Sequence, residues 1–192
     1  MTVQRNSLLT LREILAERSV RRGQFTLASG RISSLYIDAR LTTMSPEGLS
    51  LIGPLGLDVL RSSDWRVDAV GGLTLGADPI AYAISYASAL RGHEGPPIRA
   101  FTVRKEARTH GTGRLIEGPF RAGDRVAVVE DVITTGASAL RAAETVRAAG
   151  GVVAGVLAVV DREEGGREAL ESAGLEVRSL TRASEIVALL PG

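Results

Sequence analysis

Two adjacent carboxylates, Glu130 and Asp131, follow the apolar run 126–129 and precede Val132, Ile133, Thr134, Thr135, Gly136, Ala137 and Ser138. An Ala-rich helical pattern begins there. That order predicts a buried strand, a site at its carboxyl end, and a short turn entering a helix. In open α/β sheets, ligands bind at that end of the strands. Backbone N–H groups of the turn and first helical residues, aided by the helix dipole, suit a phosphate. The Thr134, Thr135 and Ser138 hydroxyls add donors. The two acids stand one step earlier, where sugar hydroxyls or the hydration shell of a magnesium ion would lie. Residues 130–138 therefore read as a loop for a phosphorylated ribose.

A second concentration of chemistry spans 104–118, where Arg104, Lys105, Arg108, His110 and Arg114 share one glycine-punctuated segment. It follows an apolar strand pattern, so its first residues belong near the same sheet edge as the acids. A cationic loop so placed could close over a pyrophosphate, exclude water and neutralise charge growing on a leaving group. Asp161 and Arg162 end another apolar run, and the planar Arg162 fork suits a carboxylate; a surface salt bridge is the competing reading. Residues 71–79 form a glycine-rich turn able to approach a ligand closely, with Asp78 expected to cap the helix that follows.

Several chemistries are excluded. The chain has no cysteine, hence no disulfide, thiolate metal site or cysteine nucleophile. With His93 and His110 alone, no histidine-rich metal site can form. No P-loop motif and no G-x-S-x-G elbow occur. A net charge of +1 and 4% aromatic residues give no reason to expect nucleic-acid binding. The longest uncharged apolar stretch, 152–160, is too short to span a bilayer, and no secretory signal is visible, so a cytoplasmic location is expected.

The elements that must position these groups alternate. Helices are expected at 8–20 (capped by Ser7, stopped by Gly23), from the Ser45-Pro46-Glu47 start to 60, at 80–90, after the acid pair to 149, at 163–172 and at 184–190. Strands are expected at 67–71, 98–103, 126–129, 152–160 and 175–180, with short extended pieces at 25–27 and 35–38. Strands alternating with helices mean a mainly parallel sheet flanked by helices, within a single α/β domain over residues 1–192. The core is expected at about 46–162. Residues 1–45, joined by the C-terminal segment, would form a small hood over the strand ends.

At this point the residues resemble a known family. F-T-L-A-S-G-R (25–31), Y-I-D (36–38), G-G-L-T-L-G-A-D-P-I-A (71–81), R-K-E-A-R-T-H-G (104–111), V-V-E-D-V-I-T-T-G-A-S (128–138) and D-R (161–162) are similar to stretches of the orotate phosphoribosyltransferases. The resemblance implies the type I phosphoribosyltransferase fold. It also implies transfer of 5-phosphoribosyl from phosphoribosyl pyrophosphate (PRPP) to N1 of orotate, giving orotidine 5′-monophosphate in UMP synthesis. It implies a magnesium requirement, the ion being held by PRPP and water rather than directly by protein side chains. It implies a homodimer in which loop 104–118 acts in trans. Carried onto this chain, Lys105 assists the leaving pyrophosphate, Asp131 is the catalytic member of the carboxylate pair, and Arg104, Arg108 and His110 contact diphosphate. Residues 130–138 hold ribose and 5-phosphate, while Thr134 and Arg162 contact orotate. Ala28 and Gly76 stand where many relatives carry lysine, so the diphosphate pocket must rely more on backbone amides and the cationic loop. The rival readings are a purine or uracil phosphoribosyltransferase, and a PRPP-sensing transcriptional regulator. Arg162 argues against the first, and the lack of a basic DNA-binding segment against the second.

Overall fold

The computed structural model describes residues 2–26, 32–90, 95–106 and 114–190. Its elements in chain order are α1 (Thr2–Ile14), a π-helical turn (Leu15–Ser19), β1 (Val20–Thr26), β2 (Ile32–Ile37), α2 (Arg40–Thr43), α3 (Pro46–Ser62) and β3 (Ala69–Leu73). Then follow α4 (Ala77–Ala89), β4 (Arg99–Val103), β5 (Ile116–Glu117), β6 (Arg125–Ile133), α5 (Ala137–Ala148), β7 (Val152–Asp161), α6 (Gly166–Ser172), β8 (Val177–Arg182) and α7 (Ala183–Val187). Among the described residues no helix is long and apolar enough to cross a membrane.

The main sheet has the order β5-β4-β3-β6-β7-β8, and every neighbouring pair is parallel except β4 with β5. Its central strands are apolar on both faces because helices cover both. Ala127, Val129, Leu157 and Val159 pack with Leu11, Ile52, Ile80 and Ile84 of α1, α3 and α4. The alternate residues Val126, Val128, Val156 and Ala158 pack with Ala142, Val146 and Leu170 of α5 and α6. The period of two along each strand makes this division. Ser45 caps α3 as expected, accepting the Gly48 N–H at 3.0 Å with Pro46 next in line.

Three expectations change. The first helix yields at Val20, which is buried and pairs with Ile37 as β1 begins; Gly23 lies inside that strand and stops nothing. β1 and β2 form a two-stranded antiparallel sheet separate from the main one. The last strand does not join the hood: β8 is hydrogen-bonded to β7, with Val177 beside Val156 and Arg182 beside Asp161. Buried Val177 and Leu180 explain the placement, since only the main sheet offers both apolar cover and a ladder partner.

Chain order reverses between β3 and β6: the chain passes from β3 outward to β4 and β5, then returns across β3 to β6, β7 and β8. The crevice at such a switch point is where α/β sheets hold ligands. The turn after β3 and the loop after β6 both lie there.

Candidate active site

The acid pair sits within β6 rather than beyond its end. β6 pairs with β7 as far as Ile133 beside Asp161, which carries Glu130 and Asp131 on a fixed ladder. β3 follows β6 only through Gly71 beside Val128, so beyond Val128 the β3 side of β6 lies open. Glu130 is buried, 7% exposed, and its Oε2 has no hydrogen-bond partner among the described residues. Burial first, and neighbouring Asp131 second, push its carboxyl well above the usual carboxylate range, against a pull from Lys105. Asp131 accepts its neighbour Val132 N–H at 2.9 Å and is partly exposed. An orphaned buried acceptor beside an exposed carboxylate is a place for hydroxyl donors.

The loop after β6 ends at Gly136, in the left-handed region with φ +80°, and α5 begins at Ala137. A Cβ on Gly136 would meet the Gly166 carbonyl and Leu170 at 2.9 Å, so glycine is required by both conformation and space. No side chain caps α5. The Thr135 hydroxyl reaches only the Ala137 N–H, at 3.5 Å, and the N-terminal amides of the helix remain available to an anion. Thr134, Thr135 and Ser138 line a small cavity of about 30 Å³ at this terminus, with Glu130 at its edge.

On the other side of the acids, the turn 74–76 closes against Asp131. A Cβ on Gly76 would lie 2.6 Å from Asp131 Oδ1, so the backbone approaches the carboxylate directly. Asp78 does not cap α4: its carboxylate accepts the Thr74 hydroxyl at 2.6 Å and the Thr102 hydroxyl at 2.8 Å, pinning the turn to β4. Thr74, Gly76, Lys105, Asp131 and Ser138 share the walls of a cavity of about 210 Å³ with Arg40. Arg40 is not among the residues the sequence singles out; the signal was the spacing Asp38-x-Arg40 just past the Y-I-D stretch.

The remaining expected residues fall differently. Lys105 faces the cavity of its own chain, and its carbonyl accepts from Arg141 of α5. Arg104 lies at the loop's root: its N–H bonds to the Leu115 carbonyl, and its guanidinium pairs with Glu117 at 3.6 Å, turned aside from the cavity lining. Arg108, His110 and Ala28 lie outside the described residues. Arg162 is buried at the end of β7 and donates to the Leu35 carbonyl of the hood at 3.3 Å and to Glu164 at 2.6 Å. It thus already holds a carboxylate. A larger cavity, about 740 Å³, lies at the far end of α5 between Phe120 and Ala149. It has no orphaned buried group among its described residues, whereas the smaller cavities converge on Glu130.

The chain as a whole has counterparts. Orotate phosphoribosyltransferase of Aquifex aeolicus is 50% identical over 163 residues, 85% of this chain and 86% of that protein. The chain belongs to the orotate phosphoribosyltransferase family. The structure of Mycobacterium tuberculosis orotate phosphoribosyltransferase with Fe(III) dicitrate superposes with a TM-score of 0.80 at 45% identity, covering 94% of this chain and 98% of that one. The Mycobacterium tuberculosis enzyme in complex with PRPP superposes with a TM-score of 0.75 at 39% identity, over 94% of this chain and 92% of that one. No protein-family model matches the chain. The fold is that of the type I phosphoribosyltransferases, and the relatives match it across nearly its whole length.

Proposed function

We propose that the chain transfers the 5-phosphoribosyl group of PRPP to N1 of orotate, releasing pyrophosphate and forming orotidine 5′-monophosphate for UMP synthesis. The observation that carries the reading is the buried Glu130, its Oε2 without a partner among the described residues, between an uncapped helix N-terminus and a cation-lined cavity. The loop 132–138 takes the 5-phosphate, with Val132, Ile133 and Ala137 contributing backbone. Glu130 and Asp131 accept hydrogen bonds from the ribose hydroxyls. The 1-diphosphate then points to the opposite side of the acids, toward turn 74–76 and Lys105.

Breaking the C1–O bond develops oxocarbenium character on the ribose, as in glycoside cleavage. No protein nucleophile is required. Asp131 stabilises positive charge on the sugar, and Lys105 offsets negative charge on the departing pyrophosphate. Arg108 and His110 add cations around the diphosphate, and Arg104 joins them on turning from its pair with Glu117. Thr134 and Arg162 hold orotate, whose carboxylate takes over the Arg162 fork from Glu164. Among the described residues no group of three or more His, Cys, Asp or Glu gathers to cage a metal. Glu130 and Asp131 would instead face the hydration shell of a magnesium ion held chiefly by PRPP oxygens, the orphaned Glu130 Oε2 marking room there for a donor. When bound, magnesium supplies charge neutralisation on the diphosphate.

The test is loss of orotate absorbance with PRPP and magnesium, run beside uracil and hypoxanthine. Turnover of orotate alone supports the reading, and turnover of either other base in its place refutes it. We further read the protein as a cytoplasmic homodimer whose loop beyond Lys105 reaches the partner. Mixing inactive Arg108→Ala/His110→Ala subunits with inactive Asp131→Asn subunits should restore activity; no recovery in a demonstrated mixed dimer would show each subunit to be self-contained.

A further inference from the structure

We propose that Arg40, a hood residue, is a diphosphate-binding residue of this site, working from the wall opposed to the phosphate loop. The inference rests on the reaction assigned above. Arg40 shares the 210 Å³ cavity with Lys105, and these are the two cations of its described lining. Asp38 grips one edge of the guanidinium, accepting from Nε at 2.8 Å and from Nη2 at 2.9 Å. That bidentate grip orients the plane and leaves Nη1, whose N–H groups no described residue takes. A planar fork held by one edge and open at the other suits phosphate oxygens.

Position decides which anion. The uncapped helix terminus lies on one side of Glu130 and Asp131 and accounts for the 5-phosphate. With ribose on the acids, the substituent at C1 lies away from that terminus, on the side of turn 74–76, Lys105 and Arg40. Asp38 chiefly, and Asp131 in the smallest measure, tighten the hold of Arg40 on its proton, so the guanidinium lies within electrostatic reach of the acid pair. Arg40 and Asp38 are thus more than a surface pair, which alone would contribute little. An anion carrying several negative charges would draw the free edge of the fork inward.

Calorimetric titration with inorganic pyrophosphate and magnesium tests this directly. Arg40→Ala should weaken pyrophosphate binding and raise KM for PRPP roughly tenfold or more, the scale of a hydrogen bond to a charged group. KM for orotate and Tm should stay near wild type, since the side chain is 47% exposed. Arg40→Gln, of similar length but uncharged, should show the same loss of pyrophosphate affinity. Unchanged pyrophosphate affinity in both variants overturns the proposal, as does equal weakening toward orotate and PRPP. Wild-type turnover in the same preparation separates the two readings. A wild type that never consumes orotate defeats the assigned reaction, whereas normal turnover with unaltered pyrophosphate binding in both variants defeats only the role of Arg40.

Discussion

Replacing Glu130 with glutamine should change how stability and PRPP binding depend on pH. The side chain is 7% exposed with one oxygen unpartnered, and burial pushes its carboxyl well above the ordinary value of 4.5. Between pH 4.5 and the raised value, the folded protein keeps a proton that the unfolded chain has released. Unfolding then sheds that proton, so stability falls as pH rises, by at most about 1.4 kcal/mol per pH unit. For a chain of this length about 1 kcal/mol corresponds to roughly 2–4 °C, so this carboxyl alone imposes a slope of up to about 3–6 °C per unit. Glu130→Gln removes the slope while preserving shape. Calorimetric melts of both ligand-free proteins from pH 5 to 7 isolate the group, because every other titrating side chain is shared. The variant should gain on wild type steadily as pH rises, and parallel curves would refute the argument.

Ligand binding reverses the sign for the same carboxyl. A ribose hydroxyl donating to Oε2 favours the ionised form, so PRPP binding should release a proton and tighten with pH through this window. A hydrogen bond to a charged group is worth about 1.5–3 kcal/mol, so Glu130→Gln should lower PRPP affinity about 10- to 150-fold at pH 7.5. It should also abolish that pH dependence, as read by titration in buffers of different ionisation enthalpy.

Three further outcomes follow from particular contacts. Lys105→Ala should lower kcat at least a hundredfold with KM for PRPP changed far less, since its charge meets the leaving group only as the bond breaks; an unchanged kcat would remove Lys105 from the chemistry. Gly136→Ala should cost about 1–3 kcal/mol in thermal melts, because φ is +80° and the added Cβ meets Gly166 and Leu170. Arg162→Ala should raise KM for orotate selectively, while Glu164→Gln, by removing the competing carboxylate 2.6 Å away, should lower it; steady-state kinetics with each substrate varied distinguishes these from a general loss.

The strand, turn and helix around 126–140 are legible because their cause is local. A two-faced apolar run, a glycine that must take a positive φ and an Ala-rich helix all lie within fifteen or so residues. Two features escape such reading because they depend on where distant segments meet. Arg40 becomes a cavity wall only when hood and core dock, and Asp78 exchanges a cap for Thr74 and Thr102 because β4 lies beside the turn. β8 has an ordinary strand pattern, but nothing in its own residues says which sheet it joins. The 104–118 loop is legible as a charge cluster, yet Lys105 faces inward within its own chain because β4 pairs with β5 and Arg141 holds its carbonyl.

The unequal lengths of β3 and β6 tie these pieces together. β6 runs five residues past its last pairing with β3 at Val128, supported on its other side by β7. That overhang opens a notch beside Glu130 and Asp131, and turn 74–76 folds into it so closely that Gly76 abuts the Asp131 carboxylate. A side chain at position 76 could enter only by displacing that carboxylate. Any cation serving this side of the acids must therefore come from elsewhere, and among the described residues Lys105 from the loop root and Arg40 from the hood line it. The geometry thus offers two separate anion-binding regions, one on either side of the acids. In the proposed reaction the helix terminus would serve one end through backbone amides, and the notch the other through side chains drawn from two distant parts of the chain.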